Sequence, residues 1–275
     1  TTSYTYDDYV PHGYAINENA GAMYAAMNFD PTLGIFNPDG SYQISPYIST
    51  DNPLALAYGE DVYSNTYRTL GTFYGEYFIL PDWSVKLNLG GDIQSRRQDS
   101  YVSTITLDGD GSNGFGSVNT GFKSNYLIEA TTHYVKEFAS IHNIDLLMGI
   151  TQQQFITNRF YGEASNFANQ IMQTNSMQSA DQSLYGMSSN KSKYQLLSYL
   201  GRVNYSLMDK YLLTASVRAD GSSRFGENYK YSVFPSFAFG WKMSEEDFIQ
   251  NLEIFSNLKF RLSYGQTGNQ SIGNY

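Results

Sequence analysis

The chain has 275 residues, a net charge of −9, no cysteine and three histidines. No Lys/Arg-rich run is present to neutralise phosphates, which argues against a nucleic-acid partner. Disulfides and thiolate metal sites are excluded, and an imidazole-rich metal site has too few ligands. Charged residues make up 16%, against roughly 25% in a typical soluble domain. Aromatics also reach 16%, with 25 tyrosines, a residue that suits half-buried pleated surfaces and membrane–water boundaries.

Residues 1–65 read as an irregular, loop-rich region with room for a strand near the N-terminus. A short helix is expected over 20–28, and Phe36-Asn37-Pro38-Asp39-Gly40 and Asp51-Asn52-Pro53 are turn signals. From 66 to 275 the pattern has period two, which sends alternate side chains to opposite faces of a strand. Trp83, Val85, Leu87, Leu89 and Ile93 alternate with Ser84, Lys86, Asn88, Asp92 and Gln94. The same alternation runs through 143–151, 197–206 and 211–220, and ends with Leu258, Phe260, Leu262 and Tyr264. About eight strands are predicted on this pattern, near 66–79, 83–96, 122–137, 142–158, 194–207, 210–220, 231–243 and 257–265. Several exceed the usual length of about 5–6 residues and reach the roughly 9–11 that a tilted bilayer crossing needs.

Connections alternate in length. Leu80-Pro81-Asp82, 138–141 and 207–210 are tight, whereas 97–121, 159–193 and 221–230 are longer. The link 244–256 breaks the brevity, with Ser244 expected as N-cap of a helical turn. Up-and-down outer-membrane barrels alternate short periplasmic turns with long extracellular loops in this way. Trp83, Tyr205, Tyr211 and Trp241 fall on the short-turn side, and Tyr126, Tyr194 and Tyr231 on the long-loop side, as two aromatic girdles would require. No run of about 18 apolar residues is present, so no transmembrane helix is expected. Thr1-Thr2-Ser3-Tyr4-Thr5-Tyr6 is not a signal peptide.

Tyr211-Leu212-Leu213-Thr214-Ala215-Ser216-Val217-Arg218-Ala219-Asp220-Gly221-Ser222-Ser223-Arg224-Phe225-Gly226 resembles a hallmark of SusC/RagA-type TonB-linked outer-membrane proteins. So do Phe234-Pro235-Ser236, Gly240-Trp241-Lys242, Ser244-Glu245-Glu246-Asp247-Phe248, and the stretch from Leu258 to Gln270, in the same order and spacing. The resemblance implies an all-β, antiparallel up-and-down transmembrane barrel of 22 strands filled by an N-terminal plug. It also implies an outer-membrane location, import powered by the TonB complex, a SusD-like surface lipoprotein partner, and oligosaccharide or, in some members, peptide cargo. The chain then corresponds to an open barrel segment facing outer-membrane lipid, with 1–65 its loop-rich part, 66–275 its strands, and the plug and signal peptide outside the segment.

Candidate contacts follow from these placements. Tyr161, Asn166, Phe167 and Asn169 offer amides and rings suited to a sugar, although extracellular loops are amide-rich anyway. Asp220 and Arg224 would pair beside the cargo path or the partner, or simply close a Gly-Ser turn with a surface ion pair. Lys86, Asp92, Arg202, Arg218 and Arg261 fall on the polar face and are expected to line the lumen against the plug. Asp108-Gly109-Asp110-Gly111-Ser112-Asn113-Gly114 superficially resembles a calcium loop, but position twelve is Asn119 rather than a bidentate Glu, so a flexible loop without metal is expected. No G-x-S-x-G elbow, P-loop or H-E-x-x-H is present, so neither catalysis nor a cofactor is expected. A passive porin and a soluble β-rich binding module are the competing readings.

Overall fold

The alternating segments are strands, and a computed structural model describes residues 2–8, 21–48, 50–269 and 272–273. The strands are β1 (Thr2–Asp8), β2 (Glu60–Leu80), β3 (Trp83–Val102), β4 (Phe115–Phe138), β5 (His142–Ser165), β6 (Gly186–Leu207), β7 (Tyr211–Ser222), β8 (Tyr231–Lys242) and β9 (Lys259–Gly265). They form one sheet in sequence order, β1 to β9, the topology of an up-and-down meander. Each of the expected strands is present, and β1 is the strand for which the N-terminal region left room. The strands run further into the loops than periodicity indicates: β4 and β5 each have 24 residues, about twice what a tilted crossing needs. The expected loops 97–121 and 159–193 are correspondingly shorter, because backbone pairing continues after the apolar alternation has faded.

The chain divides into two compact units. The first is drawn from Thr1–Thr69, Ile93–Lys123 and Thr157–Lys191, the second from Leu70–Asp92, Ser124–Ile156 and Ser192–Tyr275.

The second unit carries the tight turns. Ala139 and Ser140, and again Met208 and Asp209, have positive φ near 50°, the conformation of a type I′ hairpin turn, which continues the strand twist. Neighbouring turns are tied through the backbone: Asp82 O accepts from Val135 N at 2.8 Å, Ile141 O from Met208 N at 2.7 Å, and Lys210 O from Lys242 N at 2.9 Å. Lys136 pairs with Asp82 at the same end. The register aligns Val203, Ala215, Phe237 and Tyr264 in one row, and Tyr205, Leu213, Phe239 and Leu262 in the next. Alternating with them are the rows Arg202, Ser216, Ser236 and Asn204, Thr214, Ala238, Ser263. One face is therefore apolar yet exposed, with Val217 at 50% and Leu262 at 60%. The other is polar and internally bonded, Thr214 donating to Asn204 at 2.9 Å and the Ser216 and Ser236 hydroxyls sharing a 2.7 Å bond. Soluble proteins rarely leave a contiguous apolar surface beyond a few hundred Å². An apolar outside on an alternating sheet is what a bilayer selects.

The first unit holds α1 (Ala22–Asn28), α2 (Pro53–Gly59) and α3 (Leu107–Ser112). The helix expected over 20–28 is α1. The Asp51-Asn52-Pro53 signal starts α2: Asn52 Oδ1 accepts from Leu54 N, with Pro53 in the first turn, where its missing N–H costs nothing. Asn52 Nδ2 also bonds the carbonyls of Ile35 and Gln43, both at 3.1 Å. The other turn signal is closed by a bridge between Phe36 and Tyr42, with Gly40 at φ 85°.

Two local expectations are corrected. Asp108-Gly109-Asp110-Gly111 is helical rather than a flexible loop, because Thr106 caps Gly109 N and Asp51 Oδ2 accepts from Leu107 N at 2.7 Å. Gly109 is required there, since a Cβ would meet Ser103 O at 2.0 Å. Ser244 is not an N-cap: it lies in a 3-10 turn over Met243–Glu245, and Glu246 precedes α4 (Asp247–Gln250). The Glu246 carboxylate is held elsewhere, as described below.

Candidate functional site

The loop candidates of the first unit lie on and just beyond the end of β5. Tyr161 donates its hydroxyl to Glu163 Oε2 at 2.7 Å. Asn166, with φ 60°, accepts from Asn113 Nδ2 at 2.7 Å, and its backbone N–H reaches Ser112 O at 2.8 Å. Asn169 turns its own side chain onto Ile171 N at 2.8 Å, a local turn bond typical of Asn. Phe167 departs from the expected stacking ring. It is 2% exposed and packs with Tyr101, Ala164, Ala180 and Met177, edge-on to Tyr101 at 5.4 Å between centroids. A ring enclosed in this way offers no face to a sugar; its work is to anchor the loop. Asn166 and Asn169 remain exposed, so the amides, not the ring, are on the surface.

On the second unit the expected Asp220–Arg224 pair is replaced. Arg218 Nε contacts Asp220 at 2.7 and 2.9 Å, and its Nη2 reaches Ser198 Oγ at 3.2 Å. Residues two apart on a strand share a face, whereas Arg224 lies past the end of β7. The Arg224 guanidinium instead covers the Tyr194 ring at 3.7 Å. Arg218 and Asp220 occupy the polar face with Arg202 and Arg261, whose neighbours across the sheet are Ser216 and Gly240. Lys86 lies over the Tyr74 ring at 4.6 Å, and Asp92, of the same parity as Lys86, is engaged in the structure. No group of three His, Cys, Asp or Glu side chains arranged to hold a metal occurs among the described residues.

Glu246 was not singled out from the sequence, where it reads as first-turn acid. The Tyr211 hydroxyl and the Trp241 indole donate to its Oε1 at 2.6 and 3.0 Å, and Lys210 Nζ lies 3.5 Å from Oε2. Tyr211 and Trp241 also stack, with centroids 6.2 Å apart. These bonds, that from Tyr211 foremost, hold the carboxyl below the ordinary glutamate range. The stabilisation is present above the ordinary value and is lost as pH falls through the depressed one. Followed by the side-chain carboxyl carbon resonance of Glu246 in the full-length receptor, the titration is expected to have its midpoint below the ordinary glutamate pKa of 4.5. Glu246→Gln should remove that titration, and a midpoint at or above 4.5 would show that these bonds do not form.

No family model matches the chain. Among curated proteins it is 35% identical to TonB-dependent receptor P26 of Formosa agariphila, over 97% of this chain and 28% of that protein. It is 32% identical to TonB-dependent receptor SusC of Bacteroides thetaiotaomicron, over 90% of this chain and 24% of that one. The chain thus spans about a quarter of the length of these relatives. The RagAB peptide transporter superposes with a TM-score of 0.75 at 22% identity, over 88% of this chain and 27% of that chain, a likeness of fold. The relatives are receptors and transporters rather than enzymes. With a sequence match over nearly its whole length and the same strand architecture, the chain belongs to the SusC/RagA-type TonB-dependent receptors of the Gram-negative outer membrane, as a stretch of their barrel.

Proposed function

We propose that the chain is a barrel segment of an energised importer that takes up oligosaccharides, works with a SusD-like lipoprotein over its extracellular mouth, and draws power from the TonB complex. The observation that carries this reading is the two-faced sheet: exposed Val217, Phe237 and Leu262 on one face, and the Arg202, Arg218 and Arg261 rows on the other. The apolar face meets lipid, and the polar one, with Lys86 and Asp92, lines a lumen against the plug. The chain has no catalytic role in this reading. Oligosaccharide cargo rests on the SusC resemblance; RagAB is a peptide transporter, but shares only 22% identity with this chain.

The test is uptake of labelled oligosaccharides by cells that carry the full-length receptor, with and without a functional TonB complex. Accumulation that requires TonB and the lipoprotein is expected. Steady ion conductance of the reconstituted receptor without TonB would make it a passive porin. Energised uptake of peptides with no uptake of oligosaccharides would overturn the cargo class.

A further inference from the structure

A cleft in the first unit, not assigned above, is lined by Gln94, Arg96, Gln98, Asn119, Lys123 and Arg159 and encloses about 200 Å³. At about 30 Å³ per water this is room for roughly six or seven waters, on the scale of one pyranose residue. The lining comes from three consecutive strands of the sheet, β3, β4 and β5. Gln94, Arg96 and Gln98 alternate along β3 with the parity of Lys86, the polar parity of that strand.

The cleft is positively charged and unneutralised. It has three cations and no carboxylate in its lining, within a chain whose net charge is −9. Arg96 is held in place, its Nε donating to Ser64 Oγ at 3.0 Å and its Nη2 to Gln98 Oε1 at 2.9 Å. Lys123 and Arg159 have no hydrogen bond or ion pair among the described residues. The adjacent Arg97 is neutralised, by Asp99 at 2.8 Å, but it has the opposite parity. Gly121 leaves the floor open: a Cβ there would meet nothing within 4 Å.

Clefts lined by one sign of charge focus the field and concentrate the opposite ion. Guanidinium groups recognise planar carboxylates and sulfates through paired N–H donors. Gln94, Gln98 and Asn119 add amides that donate to and accept from hydroxyls. Apart from Gly121 the lining residues are polar, which suits a ligand rich in hydroxyls. We propose that this cleft binds an acidic sugar residue, a uronate or a sulfated pyranose, so that the receptor takes anionic oligosaccharides. The inference rests on the importer reading above and narrows its cargo.

The test uses the purified full-length receptor, titrated calorimetrically with galacturonic acid trisaccharide and with the neutral galactose trisaccharide, at low and high salt. The acidic trisaccharide is expected to bind more tightly, and the preference to shrink with salt. Combined Lys123→Gln and Arg159→Gln should weaken the acidic ligand about 10- to 100-fold, as loss of charged hydrogen bonds implies, and leave the neutral one unchanged. Lys123→Arg with Arg159→Lys should retain most of the affinity. Equal affinity for the two sugars, insensitive to the substitutions, overturns the proposal. So does a double variant with lowered thermal stability and unchanged affinity, which would mean that the cations pair with carboxylates elsewhere in the receptor. Binding of triglutamate with the same cation dependence, but not of the galacturonate, would replace the sugar by a peptide. A receptor that imports neutral oligosaccharides through TonB while ignoring galacturonate leaves the importer reading standing and removes only this one.

Discussion

Val217→Arg is expected to destabilise the folded barrel in a bilayer by about 2–4 kcal/mol, the cost of an arginine on the lipid face near the midplane. Val217 is 50% exposed, and its cross-strand neighbours are Gly201 and Pro235, neither of which has a side-chain oxygen to receive the guanidinium. Thr214→Lys is the matched control. It lies three residues away, between Asn204 and Ala238, on the polar face. It loses one hydrogen bond to Asn204, worth about 1 kcal/mol. Urea titration of the full-length receptor refolded into lipid vesicles measures both. Equal costs at the two positions would mean that the faces are not divided between lipid and lumen, and would favour the soluble-module reading.

Phe167→Ala should be the most damaging change in the first unit, at about 3–5 kcal/mol of local stability, the usual cost of truncating a buried phenylalanine. Its ring packs edge-on against Tyr101 between Ala164 and Ala180, and small neighbours cannot move in to fill the space. Beside it the backbone N–H of Phe167 bonds Asn113 O at 3.0 Å, so loss of the ring also frees the Asn113–Asn166 contact. The readout is local: amide exchange and protease cleavage over 166–185 should accelerate, whereas residues of β7 and β8 keep their protection. A stacking role toward cargo predicts the reverse, lost affinity with an intact loop.

The strands were legible because a sheet with lipid on one side and water on the other forces alternation, and Trp83 to Ile93 and Tyr211 to Asp220 record it residue by residue. The short turns were legible as brief gaps, but not as I′ turns, because Ala139-Ser140 and Met208-Asp209 lack the Asn-Gly signature; the paired strands impose positive φ. The loop ends were less legible. Once the chain leaves the membrane the apolar rule lapses, and the extensions of β3, β4 and β5 are held by backbone pairing, which no side-chain pattern reports. An Asp-Gly repeat became α3 because the Thr106 cap and the Asp51 contact outweigh its weak helix propensity.

The candidate site divides along the same line. Parity alone put Arg202, Arg218 and Arg261 on the polar face, since a side chain's face on a strand is a local property. Partners are not local. Phe167 turned inward onto Tyr101, Glu246 gathered Tyr211 and Trp241, and Arg96, Lys123 and Arg159 met in one cleft from three strands. The sequence by itself determined the strand class, the two faces and the family. Which side chains meet was decided only by the tertiary structure: by loop packing for Phe167 and Glu246, and by the register between strands for the cleft, because a shift of one residue would send a strand's side chains to the other face.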